Sequence, residues 1–381
     1  MERLSGSPVV RLVRIEEGNV AFVPEPLPES LSLGQETVAL LDAASRAVGI
    51  LVGTGETIPN PHILIRPLLR REAVLSSRIE GTMASLSDVA SAEAGPPTRP
   101  QGDVREVMNY VEAVDHGLQR LERLPISYRL VLELHDILMR EVRGQETRPG
   151  AFRDTQVYIG PPGSPIEDAR FVPPPAQDVR DLFQRLEEFT NRREGQMPPL
   201  VRCALMHYQF ETIHPFRDGN GRIGRLLITL FLQESGLLTQ PLLHLSAYFE
   251  RDRGRYYDEL LHVSTSGDYE RWVRYFLIGV EREARDTSAR VRRLREVQEG
   301  WRDLLRTRGE SANGLRLLDE ICARLIITAP AAASFLGITD AGARRVLERL
   351  IDAGIVWRLT GTRPNLYVVN ELFDVIEGEG E

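Results

Sequence analysis

His214 to Arg225 reads HPFRDGNGRIGR, directly after an apolar stretch ending HYQFETI and directly before another, LLITLFLQ. That arrangement predicts a loop closing onto a helix N-terminus. Gly219 and Gly221 allow backbone geometries barred to other residues, so successive amides can point into one concavity where the positive helix end favours an anion. Phosphate is the natural guest. Arg222 and Arg225, three apart in the first helical turn, can project toward one side and clamp phosphate oxygens bidentately. Asp218 suits Mg²⁺, which takes oxygen ligands and often spans a carboxylate and phosphates. His214 at the loop entrance has an ordinary pKa of about 6.5, suited to a general base at neutral pH. These are the parts of a phosphate-transfer site, and it is not of the Walker type. All 47 basic residues are arginine, which excludes a P-loop lysine, a kinase lysine and a pyridoxal Schiff base.

HPFRDGNGRIGR resembles in full the Fic (Fido) motif His-x-Phe-x-Asp/Glu-Gly-Asn-Gly-Arg-x-x-Arg, with eight fixed positions in one stretch. Upstream, Ser76–Gly81 (SSRIEG) is similar to the family's inhibitory motif Ser/Thr-x-x-x-Glu-Gly/Asn, with Ser76 and Glu80 on one helix face. The stretch GAFRDTQVYIGPPGSPIEDARFVPPP, within 150–175, resembles the family's target-docking flap, and LSAYFERDRGRYYDELLHVSTSGD resembles the stretch that closes the adenine pocket. The resemblance covers most of residues 30 to 281. It implies transfer of AMP from ATP to Ser, Thr or Tyr hydroxyls of target proteins, and of the protein itself, with release of pyrophosphate. In that reading His214 is the base and Mg²⁺ sits on Asp218. Gly219, Asn220, Gly221, Arg222, Ile223, Gly224, Arg225 and Tyr257 bind ATP, and Phe216 anchors the loop. Glu80, with Ser76, pairs with Arg225 and blocks productive nucleotide binding. Ser264 falls where the family often has an Asn near adenine. His207 is assigned to packing, and of the adjacent Tyr256 and Tyr257 only the second is expected to face nucleotide. Two other readings stand: a de-AMPylase in which Glu80 orients water, and a nucleotide-sensing DNA-binding regulator.

The surrounding elements read as all-α. Apolar residues recur at three and four over 36–52 and 66–86, then around 107–121, 130–138, 177–194, 199–213, 221–235 and 255–264, and along an arginine-rich stretch from about 268 to 305. Short runs around PPGSP suggest a two-stranded hairpin as the flap. The tail orders helix, helix, helix, strand, turn, strand, similar to a winged helix-turn-helix. The expected divisions are 1–115, an N-terminal helical unit with the inhibitory motif; 116–281, the Fic core; 282–308, a linker helix; and 309–381, the winged-helix-like unit.

Length and composition fit this plan. With 381 residues, 42% hydrophobic and 27% charged, the chain is long enough for two or three folded domains. Its net charge of −8 gives no global attraction to nucleic acid or anionic membrane. From Gly309 onward 7 Arg face 11 Asp plus Glu, which weighs against DNA binding and leaves Arg344, Arg345, Arg358 and Arg363 as the only local patch. Cys203 and Cys322 form neither a disulfide framework nor a cysteine zinc site. No uncharged apolar run of 18 residues and no secretory signal appear, so the expectations are no membrane partner and a cytoplasmic location. A homodimer is a further expectation.

Overall fold

The computed structural model describes residues 7–378 except 16–17, 57–60, 96–101, 143–147, 162, 193–196, 360 and 362–363. It is mostly helical. In chain order the elements are β1 (Val10–Arg14), β2 (Val20–Pro24), α1 (Gln35–Glu56), α2 (Pro61–Ile79), α3 (Leu86–Ala94), α4 (Asp103–Leu121), α5 (Tyr128–Leu138), α6 (Val179–Asn191), α7 (Pro199–Ile213), α8 (Asn220–Glu234), α9 (Ser246–Arg251), α10 (Arg253–Ser266), α11 (Tyr269–Thr307), α12 (Ala312–Arg324), β3 (Ile326–Thr328), α13 (Ala329–Leu336), α14 (Asp340–Asp352), β4 (Trp357–Leu359), β5 (Leu366–Val368) and α15 (Asn370–Glu377).

α7 and α8 form the centre, and nearly every side chain on them is buried, among them Phe210, Ile213, Ile223 and Leu226. Helices that are apolar on all faces belong inside a protein rather than on its surface. α2, α4, α6, α10 and α11 pack around this pair, and one hydrophobic cluster runs from Val23 to Ile376. α1 lies along α11. By length and composition α1 is also apolar enough to cross a membrane, with a mean hydropathy of 1.4 over its central window. Asp42 and Arg46 lie within it, so it is not an uncharged apolar run.

Several elements differ from expectation. The N-terminal unit opens with an antiparallel hairpin, β1 paired to β2 with Leu12 opposite Phe22, where helices alone were expected. α2 stops at Ile79 instead of running to residue 86. Gly81 follows in the left-handed region (φ 97°), and Ser85 starts α3 with a capping box to Asp88. The flap's two arms meet in a single antiparallel bridge, Ile159 to Phe171. Proline supplies no amide to a ladder, and Pro161, Pro165 and Pro173–Pro175 leave little else to pair. α9 was not expected, and α11 continues unbroken through residue 281. In the C-terminal unit a short β3 lies between α12 and α13, the sheet order is β3-β5-β4, and α15 follows.

Candidate active site

The motif forms the loop between α7 and α8, and both of its ends are left-handed. His214 caps α7 at φ 49°, donating its amide to the Phe210 carbonyl, and Gly219 caps α8 at φ 79°. Such a conformation is costly for a residue with a side chain and persists only where its surroundings over-determine it. Here they do. Asn220 staples the loop from inside: its Oδ1 accepts from the Phe216 amide at 2.8 Å and its Nδ2 donates to the Phe216 carbonyl at 2.9 Å. Asn220 is almost fully buried, so it shapes the loop and does not face the cleft. Phe216 is the expected anchor, stacked on His135 with centroids 3.7 Å apart.

Two supports escaped the sequence reading. His135 on α5 accepts the Gly150 amide at Nδ1 (3.0 Å), which leaves Nε2 to donate to the Asp218 carbonyl (3.1 Å) and ties the start of the flap to the motif loop. Burial holds its pKa at about 4, so it is neutral. Arg153, also buried, donates from Nε to the His214 carbonyl (2.8 Å) and from Nη2 to the Pro174 carbonyl (2.6 Å), and its amide bonds the Pro215 carbonyl (2.9 Å). It clamps the loop and both flap ends. Neither had a local signal: His135 is one of several polar residues on α5, and the partners of Arg153 lie up to 62 residues away.

His214 is half-buried at the cleft. Burial, and secondarily the Arg153 charge, lowers its pKa to about 4. The sequence expectation of about 6.5 is corrected: the ring is neutral at pH 7, the form that accepts a proton.

The two arginines do not converge as expected. Arg222 is buried, donating to Glu106 on α4 (3.1 Å) and lying 3.5 Å from the Asp218 carboxylate. Arg225 turns instead to the end of α2. Its Nε donates to Ser76 Oγ (2.9 Å), and its Nη2 to the Ser76 carbonyl (2.8 Å) and to Glu80 Oε1 (2.7 Å). Ser76's carbonyl is free for this because α2 tightens in its last turn: the Glu80 amide bonds the Ser77 carbonyl, three residues back, instead of that of Ser76. Burial opposes the Glu80 charge, but Arg225 outweighs it and holds the carboxyl below the usual range. Burial also opposes the charge on Arg225, which Glu80 reverses, raising its pKa. Arg225 Nη1 is buried without a hydrogen-bond partner among the described residues. Glu80 lies directly over Gly221, where any Cβ would strike it.

Glu80, Glu211, Thr212, His214, Asp218 and Gly221 line a cleft of about 460 Å³ together with Ile159 and Phe171 of the flap and Tyr257, Leu260, Leu261 and Ser264 of α10. Tyr257 faces this cleft as expected. Tyr256 is fully buried, with its hydroxyl 2.8 Å from His207 Nε2, while His207 Nδ1 lies 3.1 Å from the Gly224 carbonyl, a packing role for both. Ser264 Oγ is paired with the Tyr208 hydroxyl at 3.0 Å. Ile223 departs from its assignment: its side chain is in the core and its amide bonds the Gly219 carbonyl, so neither reaches the cleft. Gly224 also faces inward, where a Cβ would collide with Glu211 Oε1. Asp218 is half exposed, with Oδ1 accepting the Gly219 amide. Among the described residues no group of three or more His, Cys, Asp or Glu could hold a metal ion. An ion held by one carboxylate and completed by substrate phosphates fits this donor set. In the C-terminal unit Arg344 and Arg345 are exposed, Arg358 is paired with Glu348 (2.8 Å), and Arg363 lies outside the described residues.

Comparison with known proteins agrees with this geometry. Residues 38–119 match the Fic/DOC family N-terminal model and residues 125–232 the Fic/DOC family model. The protein adenylyltransferase Fic of Drosophila grimshawi is 33% identical over 169 residues, which are 44% of this chain and 30% of that protein. The protein adenylyltransferase fic-1 of Caenorhabditis elegans is 32% identical over 207 residues, 52% of this chain and 37% of that protein. The chain therefore spans about a third of the length of these curated relatives. A Fic family protein from Desulfovibrio desulfuricans G20 shares the fold, with a TM-score of 0.56 at 20% identity over 90% of this chain and 98% of that one. Residues 38–119 and 125–232 are thus similar to the Fic/DOC N-terminal module and the Fic/DOC domain, in that order, with the motif loop folded between α7 and α8.

Proposed function

We propose that this protein is an adenylyltransferase that moves AMP from ATP onto hydroxyls of target proteins and of itself, held low by Glu80. The observation that carries the reading is the joint engagement of Arg225 by Ser76 and Glu80 at the mouth of a complete motif loop. An ATP phosphate and the Glu80 carboxylate compete for one guanidinium, so the resting state is closed to productive nucleotide. With Glu80 displaced, the triphosphate lies along Gly219–Gly221 at the α8 N-terminus with Arg225 on its far end, and the base fits between the flap and α10 beside Tyr257. The target hydroxyl attacks the α-phosphorus, neutral His214 takes its proton, and pyrophosphate leaves. Mg²⁺ held by Asp218 and the phosphates would supply charge neutralisation. Arg222, 3.5 Å from Asp218, is positioned to reinforce that end.

The target docks on the flap in this reading, and the C-terminal unit is a winged helix with 7 Arg against 11 Asp plus Glu, a poor DNA footprint. The test is intact mass after incubation of Glu80→Gly protein with ATP and Mg²⁺. An AMP adduct that is lost in Glu80→Gly with His214→Ala supports the reading. A phosphate adduct, or no adduct even with cell lysate added as a source of targets, overturns it.

A further inference from the structure

Glu211 lies one helical turn before His214 on α7 and lines the same cleft, yet neither the motif nor the inhibitory contact uses it. Its Oε1 is buried and has no hydrogen-bond partner among the described residues. Its immediate neighbour is the backbone of Gly224, where any Cβ would collide with that oxygen. The ionisable groups that face its carboxyl are Arg225 on α8, Glu80 at the end of α2, and Tyr256 and Tyr257 on α10, while the His214 ring interacts with the Glu211 backbone. One guanidinium therefore stands between two carboxyl groups, and it is ion-paired to Glu80.

We propose that Glu211 is a nucleotide contact, its neutral carboxyl donating a hydrogen bond to an oxygen of the phosphate chain that enters beside Arg225. This rests on the adenylyl-transfer reading and adds a residue to it. Arg225 is already ion-paired to Glu80, so its charge only partly offsets the burial of Glu211. Burial pushes the Glu211 carboxyl up to about 8, with the Arg225 charge opposing and the smaller effect of the Glu80 charge adding, so at neutral pH it carries a proton. A buried O–H without an acceptor is a standing cost that an incoming phosphate oxygen removes. Ionised, the same group would repel phosphate and take Arg225 for itself. The geometry thus makes nucleotide binding depend on a proton held at Glu211.

The test measures the Kd of a non-hydrolysable ATP analogue with Mg²⁺ from pH 6.5 to 9.0 for wild type, Glu211→Gln and Glu211→Ala. Wild-type affinity should fall about tenfold across that range, as expected for a required proton with a pKa of about 8. Glu211→Gln, which keeps a donor and cannot ionise, should match wild type at pH 6.5 and stay flat to 9.0. Glu211→Ala should bind about tenfold more weakly at pH 6.5. A folding defect would weaken binding equally at every pH, so it cannot imitate the selective loss of the alkaline fall in Glu211→Gln. Parallel pH profiles for wild type and Glu211→Gln, or an alanine variant that binds as tightly as wild type, overturn the contact while leaving adenylyl transfer intact. If none of the three binds, the same series is measured in Glu80→Gly protein, where no binding overturns the adenylyl-transfer reading and the contact together.

Discussion

At the scale of single residues, buried ionisable groups set the behaviour of the site. His214 is neutral well below pH 7 because burial and Arg153 oppose its charge. A lowered histidine pKa leaves the base form in place above it, so label incorporation by Glu80→Gly protein should be flat from pH 8 to pH 6 and fall only toward pH 4. His214→Ala should cost at least about 10²-fold in the same assay. Glu72 gives a stability prediction. It is buried on α2 behind Ser76, accepting from Ser246 (2.5 Å) and Tyr110 (3.3 Å), with its second oxygen unpartnered. Burial raises its pKa to about 7. A carboxyl with a raised folded pKa loses stability as pH climbs from its unfolded value toward the folded one. Glu72→Gln should therefore match wild type in chemical denaturation near pH 4.5 and be more stable by about 3 kcal/mol at pH 8. His214, Asp218, Arg225 and Glu80 were legible in the sequence because short motifs place them. His135, Arg153 and Glu211 were not, because their roles depend on carbonyls, amides and charges brought together by packing.

At the scale of elements, the decisive feature is how α2 ends. Its last turn tightens, the Ser76 carbonyl is released to Arg225, and Gly81 turns the chain at φ 97°. A Cβ at Gly81 meets nothing within 4 Å, so Gly81→Ala adds only backbone strain, of order 1–3 kcal/mol. The strain falls on the conformer that presents Glu80. Labelling by Gly81→Ala should rise above wild type by roughly fivefold or more and stay below Glu80→Gly; no increase over wild type would count against the contact as an inhibitory latch. The sequence showed Ser76 and Glu80 one turn apart but extended α2 to residue 86, since apolar periodicity continues into α3 and a lone Gly is a weak stop. It missed the β1–β2 hairpin because each strand has only five residues and no tight two-residue turn joins them. That hairpin supports the flap: the Phe22 amide donates to the Val172 carbonyl (2.9 Å), and the Phe22 and Phe171 rings pack tilted with centroids 4.7 Å apart.

At the scale of the whole molecule, α2, which leads into Glu80, is also where the C-terminal unit is fastened. Arg70 on α2, buried, donates to the Ala323 carbonyl at the end of α12 (2.5 Å) and pairs with Glu93 of α3 (2.6 Å). Arg290 on α11 donates to the carbonyls of Val375 and Ile376 on α15, both at 2.8 Å. Arg70→Ala should speed hydrogen exchange in the last turn of α12 and leave α6 unchanged; unchanged exchange at α12 would show that apolar packing alone holds the unit. Long-range fastenings of this kind leave no pattern in the sequence, whereas the mostly helical plan was readable from periodicity. The account as a whole stands on one nucleotide-binding arginine being shared between substrate and Glu80. The most direct measurement is incorporation of α-labelled ATP into protein with Mg²⁺ for wild type, Glu80→Gly, and Glu80→Gly with His214→Ala. Strong labelling of the Glu80→Gly single variant alone is the predicted result, and equal labelling of the single and double variants would contradict it.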